Sequence, residues 1–208
     1  MHELLRGMRQ CFHTIFHPFD GFDQVKWEKK GSVAFSFVIL LAFFLTAVFD
    51  QVLTGFIFNT VNPDKISVPS IFLITMGGFA ICFVANWAIS SLMFTEGELH
   101  NIFIVLAYTL VPYILSELVY IFATNVANLE LQAFLTAIRI IGLIWSGVVL
   151  LVGMQYVHQL SFGNVIVNLL LTVVGILAIL FLILLAYSLV SQIYTFLFTI
   201  WNELVFKM

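Results

Sequence analysis

Residues 17–31 read HPFDGFDQVKWEKKG, and after a single serine residues 33–58 read VAFSFVILLAFFLTAVFDQVLTGFIF. The first stretch packs two aspartates, a glutamate and three lysines into one short segment, whereas the second has Asp50 as its one charge. That contrast decides the fold. About 20 apolar residues in a helix cross a hydrocarbon core roughly 30 Å thick, so 33–58 reads as a span and 17–31 as the charged collar before it.

Working outward, the rest of the chain repeats the second kind of sequence. Of 208 residues, 62% are hydrophobic and 9% charged. A soluble domain carries about 25% charged residues, and a chain this size has no core able to hide so much apolar sequence from water. The expectation is an all-α polytopic membrane protein with five transmembrane helices at about 33–58, 71–94, 102–124, 132–155 and 165–187. Domain organisation follows: 1–31 as an amphipathic helix and interfacial turn, 32–208 as the transmembrane domain. Short polar connections separate the spans. Val61–Pro69 has the prolines and Asp64 of a turn, Thr95 and Glu98 have capping-box spacing, and Ser161 stands where a helix cap is needed. The first long apolar stretch begins near Val33 and is expected to act as an uncleaved anchor.

Charge sets orientation. Arg6, Arg9, Lys26, Lys29 and Lys30 precede the first span, while Lys65 and Lys207 fall on the other side of a five-span chain. The positive-inside rule then puts the N-terminus in the cytoplasm and the C-terminus outside. Net charge is −3 and scattered, which excludes a nucleic-acid partner. Cys11 and Cys82 are expected at different depths, so no disulfide joins them.

Before the collar, Leu4, Leu5, Met8, Cys11, Phe12, Ile15 and Phe16 recur at helical spacing, opposite Glu3, Arg6, Arg9, Gln10 and His13. This is the pattern of a helix lying in the membrane interface, ended by Pro18 and an Asp20-Gly21 turn, with Phe19, Phe22 and Trp27 at headgroup depth. At the other end, 165–206 contains no proline and no glycine after Gly175. The reading is one long final helix extending to 206, with a sixth span turning near Tyr187–Gln192 as the alternative.

Several stretches, taken in order, carry a family resemblance. They are His17-Pro-Phe-Asp-Gly-Phe-Asp with Lys26-Trp-Glu-Lys-Lys-Gly31; Phe94-Thr-Glu-Gly-Glu98 leading to Ala107-Tyr-Thr-Leu-Val-Pro112; and Trp145-Ser-Gly147, Val152-Gly-Met-Gln-Tyr-Val-His158 and Ser161-Phe-Gly163. Together they resemble the bacterial branch of the Yip1-domain family. The resemblance implies five membrane helices, a cytoplasmic N-terminus and the bacterial cytoplasmic membrane. Eukaryotic members associate with Rab GTPases in membrane trafficking, and many bacterial members are encoded beside carbohydrate ABC-transporter components. Only about thirty residues precede the first span here, so Rab binding is not carried over. The resemblance supplies no catalytic residues.

Inside the spans, Glu117 and Arg139 mirror one another about Asn128, each about seven residues from the hairpin end and hence roughly 10 Å deep. A charge at the centre of a span costs about 2.5–3.5 kcal/mol on insertion scales, so the two are expected to pair, with Asp50 at similar depth. The pair serves either as a packing clip, the reading favoured, or as a proton or ion relay. Pro112 should kink the third span by freeing the carbonyl near Tyr108. Asn86, Trp87 and Asn168 read as interhelical contacts, and Gly77, Gly78, Gly142 and Gly147 as sites of close helix approach. His13 and His17 have a chelating spacing without further ligands; with His100 and His158 they are expected at solvent or headgroups, and no metal or cofactor is expected. Glu96 and Glu98 are expected opposite Lys26, Lys29 and Lys30.

No phosphate loop, nucleophile elbow or zinc-protease motif occurs, and the expectation is a protein that is not an enzyme. The favoured function is a membrane scaffold or accessory subunit bound to another integral membrane protein, such as an ABC-transporter permease, through Phe19, Asp20, Phe22 and Trp27. A small transporter or channel using Asp50, Glu117 and Arg139, hinged at Pro112, is the alternative.

Overall fold

A computed structural model of the chain describes residues 2–59, 62, 66–93, 95 and 97–206. Among these the elements are α1 (His2–Phe16), α2 (Pro18–Trp27), α3 (Val33–Leu53), α4 (Val68–Leu92), α5 (Leu99–Thr124), a 3-10 turn (Leu129–Leu131), α6 (Gln132–His158) and α7 (Phe162–Phe206), with no strand. Five of them, α3 to α7, are long and apolar enough to cross a membrane, which makes the chain an integral membrane protein by length and composition.

Local chemistry sets the helix starts. Ser32 caps α3, its hydroxyl accepting the Phe35 N–H at 3.2 Å. Pro18 and Pro69 occupy the first turns of α2 and α4, where a missing N–H is harmless. At its far end α6 stops on Gln159 in the left-handed conformation, φ 52°.

The centre of the bundle is α5, which packs against α1, α2, α3, α4 and α6 and is the most buried of the five spans. Its buried side chains run from Asn101 to Thr124 and include Ile102, Val105 and Tyr108, all fully enclosed. The Tyr108 hydroxyl accepts the Ser32 N–H and donates to the Gly7 carbonyl, each at 3.3 Å, so one phenol joins α1, the start of α3 and α5. At the opposite end the Gly55 N–H bonds the Thr124 hydroxyl at 3.0 Å, and the Asn125 amide reaches the Leu53 carbonyl at 2.8 Å. The last helix joins mainly through α4, burying Val165, Asn168 and Thr172 in one stripe.

Several expectations are corrected. Residues 18–27 form a helix, not a turn: with Pro18 at its start, the Asp20-Gly21 pair falls inside α2, and Gly21 lies so close to Thr14 of α1 that a side chain would collide. Gln10 is not on the outer face of α1. It is buried, its amide donating to the Gly21 carbonyl at 3.0 Å, and the packed face is Gly7, Gln10, Cys11, Thr14 and Ile15. Leu4, Leu5, Met8, Phe12 and Phe16 are exposed instead, as an interfacial helix requires. Burial pushes the Cys11 thiol up to about 12, and both cysteines are free. The first span ends at Leu53 rather than 58, and the second begins at Val68. The last helix runs unbroken through Tyr187–Gln192, so there is no sixth span among the described residues. At 45 residues it is roughly 67 Å long. The expectations placed on Pro63, Asp64, Lys65, Phe94, Glu96 and Lys207 lie outside the described residues.

The glycine expectations also divide. A Cβ on Gly142 would overlap the Ser116 side chain, so α5 and α6 do meet there, but Gly77, Gly78 and Gly147 face open space. A second close contact, not expected from the sequence, is at Gly153, where a Cβ would stand 2.6 Å from Val105 and 2.9 Å from the Phe22 ring. Replacing Gly153 with Val should therefore cost about 1–3 kcal/mol by forcing α2 off α5 and α6, while Gly147→Ala leaves stability unchanged. Thermal unfolding of the two variants in detergent checks both outcomes.

Candidate functional site

Two polar clusters stand at opposite ends of the bundle, each assembled from three helices or more. The first forms where α3, α5 and α6 converge near their Asp50, Glu117 and Arg139 positions. Arg139 grips Glu117 with two bonds: Nε donates to Oε2 at 3.0 Å and Nη2 lies 2.5 Å from Oε1. Its Nη2 is also 3.9 Å from Asp50 Oδ2, and Asp50 Oδ1 accepts the Thr54 hydroxyl at 3.2 Å. The guanidinium stacks over Tyr120, 4.4 Å from the ring centroid. Glu117 is 1% exposed, so its charge faces the guanidinium rather than lipid or water. A planar fork matched to a carboxylate is the geometry in which arginine binds best. The structure thus brings together all three charged residues that the sequence picks out.

One turn further along α5, Pro112 removes a donor, but the helix continues through it. The next N–H, of Tyr113, donates across the interface to Ser146 Oγ of α6 at 3.0 Å. The proline is therefore bridged to a neighbouring helix by a serine hydroxyl, a repair that membrane helices use in place of a break.

The second cluster escaped the sequence reading as a unit. His158, at the end of α6, is buried rather than set at headgroups. Its Nε2 is 3.2 Å from Asn86 Oδ1 and 3.1 Å from Ser90 Oγ, and its Nδ1 is 3.1 Å from the Thr95 hydroxyl. Asn86 in turn donates to Asn168 Oδ1 and Thr172 Oγ1, both at 3.1 Å, and Asn168 donates to Ser90 Oγ at 3.3 Å. With the Asn86 amide nitrogen committed to α7, its oxygen must accept, which assigns the imidazole proton to Nε2 and makes Nδ1 the acceptor. Asn86 and Asn168 are interhelical contacts as expected, whereas Trp87 lies exposed on the bundle surface.

The same network overturns the capping box. Thr95 turns toward His158 and the Ser90 carbonyl, and Glu98, at the start of α5, makes no side-chain cap. Glu98 instead takes His100 and Asn101, each at 3.3 Å. Gly97 is the enabling residue, since a Cβ there would run into the His158 ring. The signal was available as small polar residues at Asn86, Ser90, Asn168 and Thr172, spaced along one face of each helix.

The clusters are far apart. Arg139 and His158 are 19 residues apart on α6, roughly 28 Å, and the buried α6 positions between them are Gly142, Val149, Val152, Gly153, Met154 and Val157. No carboxylate or imidazole occurs on that stretch.

Of the proposed contact residues, Phe19, Asp20 and Trp27 are exposed, but Phe22 is not: it is 0% exposed, packed at Gly153. That removes Phe22 from any docking surface. Lys26 donates to the Val157 carbonyl at 2.8 Å and Lys30 pairs with Glu28 at 2.5 Å, so the collar partly folds back on the bundle. His13 and His17 stack, 5.3 Å between centroids, and no group of three metal-ligating side chains occurs among the described residues.

A family model, described as the Yip1 domain, matches residues 12–186. No curated protein and no solved structure matches the chain.

Removing one member of the charge pair leaves the other buried alone. Arg139→Leu should lower unfolding free energy by about 3 kcal/mol, the low end for a broken buried pair because the arginine is itself partly exposed. Glu117→Gln keeps one acceptor and should cost less, and the double change Glu117→Leu with Arg139→Leu should recover much of the loss. Unfolding curves for the four proteins give the coupling, and additive effects would show that the pair does not clip α5 to α6.

Proposed function

The chain belongs to the Yip1 domain family, and from that premise we propose that it is a non-enzymatic scaffold or accessory subunit that binds another integral membrane protein side by side. The observation that carries this reading is the second half of α7. Beyond Ile179 every described side chain except Asn202 is exposed; Ser188, Gln192, Thr195 and Thr199 line one narrow stripe, and the broad remainder is apolar, with Phe181, Leu185, Val190, Phe196 and Trp201 among it. So broad an apolar face is normally covered by protein or lipid. This one outruns a single bilayer crossing, so part of it needs a protein to cover it.

The polar groups support the same reading. Glu117, Arg139 and Asp50 satisfy one another, and His158 is enclosed by Asn86, Ser90 and Thr95. Groups so fully engaged hold helices together and are poorly placed to hand on a proton or ion. The small-transporter alternative would need a continuous polar path, and the apolar stretch of α6 between the clusters argues against one. On the charge asymmetry, the α1/α2 end faces the cytoplasm. A carbohydrate ABC-transporter permease in the bacterial cytoplasmic membrane is the partner we favour, with Phe19, Asp20 and Trp27 as a second contact beside α7.

Purification of the tagged chain in mild detergent, followed by mass spectrometry of what elutes with it, tests the proposal. A stable membrane complex should be recovered, and Asp20→Ala with Trp27→Ala should reduce the recovered partner at least fivefold without altering the elution of the chain itself. Solute flux through liposomes containing only this protein would overturn the scaffold reading.

A further inference from the structure

The outer side of α1 forms, with the collar, a cationic groove that neither polar cluster uses. It encloses about 630 Å³ and is lined by Leu5, Arg6, Arg9, His13, Gln24 and Lys30, with Gln10 at its floor. A second hollow of about 290 Å³ shares Arg6 and Lys30 and reaches the first turn of α3 at Ser32, Val33 and Ala34. Lys30 has partners, Glu28 at 2.5 Å and Gln24 at 3.3 Å. Arg6 and Arg9 differ: among the described residues neither has a carboxylate within ion-pair distance. Two exposed guanidinium groups without counter-charges, facing one groove, make a site for an anion that accepts forked hydrogen bonds, above all a phosphate ester.

The surroundings choose the source of that phosphate. The hollow opens where the apolar sequence of α3 begins, so its depth is the boundary between headgroups and hydrocarbon. Beside it α1 exposes Leu4, Leu5, Met8, Phe12 and Phe16, with Phe16 73% exposed, and these need acyl chains rather than water against them. Leu5 belongs both to that stripe and to the groove lining. A ligand that fills the groove therefore meets cationic groups and, at Leu5, the edge of the apolar stripe.

We propose that this groove binds the headgroup of an anionic phospholipid, with Arg6 and Arg9 gripping the phosphate and Leu5 receiving the start of an acyl chain. The site rests on the membrane-embedded fold and is independent of the scaffold reading. It would fasten α1, and through Tyr108 and Gln10 the collar, to the bilayer surface.

The test uses the full chain in micelles holding equal amounts of phosphatidylglycerol and phosphatidylcholine, with native mass spectrometry counting retained lipid. Phosphatidylglycerol should be retained at least tenfold over phosphatidylcholine. Arg6→Gln with Arg9→Gln should lower its retention roughly 30-fold, about fivefold for each charge near the surface, and Arg6→Lys with Arg9→Lys should keep most of it. Should the double glutamine variant fail to elute as a folded monomer, Arg9→Gln alone reads the fivefold step. Equal retention of the two lipids, or wild-type retention by Arg9→Gln, overturns the proposal. Displacement of the lipid by an equal concentration of soluble glycerol phosphate also overturns it, because the groove would then recognise free phosphate without its chains.

Discussion

A carboxylate placed among apolar helices is stable only if a cation is held beside it, and that requirement organises the core of this protein. Glu117 sits on α5, the helix that touches almost every other element, and the guanidinium that answers it comes from α6. Asp50 extends the contact to α3. Pairing fixes the rotation of α5 and α6 about their axes, because a turn of either helix by one residue would carry a charge out to lipid. With those rotations set, Ser146 meets the N–H beside Pro112, Ser116 meets Gly142 and Phe22 fits against Gly153. The ion pair costs desolvation of both partners, so its contribution is registry more than net stability.

The second cluster does for α4 and α7 what the first does for α5 and α6, by different chemistry. Neutral amides and hydroxyls link Asn86, Ser90, Asn168 and Thr172, with His158 closing the side toward α6. Such bonds average only about 0.6 kcal/mol each in a membrane, yet they are directional. Lipid tails and leucine side chains are equally apolar, so nothing hydrophobic tells α7 where to stand against α4. Amide geometry does. The two clusters thus divide the bundle into a charged clamp at one end and a neutral one at the other.

How much of this was legible beforehand depends on the kind of signal each feature leaves. The five spans and the long final helix follow from apolar runs of sufficient length, and the Glu117–Arg139–Asp50 meeting follows from equal depth in adjacent helices, since a rare charge advertises itself. Helix ends were read less well. The Pro18–Trp27 segment has Pro, Asp and Gly, which mark a turn when isolated, but proline also opens helices, and contact with α1 and α6 holds this one together. Phe22 looked like a surface aromatic because its burial depends on a glycine more than a hundred residues away, Gly153. The His158 network was missed for a related reason: Asn86 and Asn168 were legible as interhelical contacts, but Ser90, Thr95 and Thr172 carry no individual weight, and only the packing of α4, α6 and α7 shows that they share a partner with His158.

The uninterrupted course of α7 has a mechanical consequence. Lying wholly within a hydrocarbon slab about 30 Å thick would need a tilt of about 60°, well past the 0–40° that spanning helices adopt, so a long segment stands clear of the bundle as a rigid rod. Anchored by Val165, Asn168 and Thr172 near one end, it behaves as a lever. With an arm of roughly 40 Å, a swing of about 10° at the base displaces the tip by about 7 Å. Small adjustments in the amide packing against α4 are thereby magnified at the far end, where anything seated on the rod would feel them as a change of position.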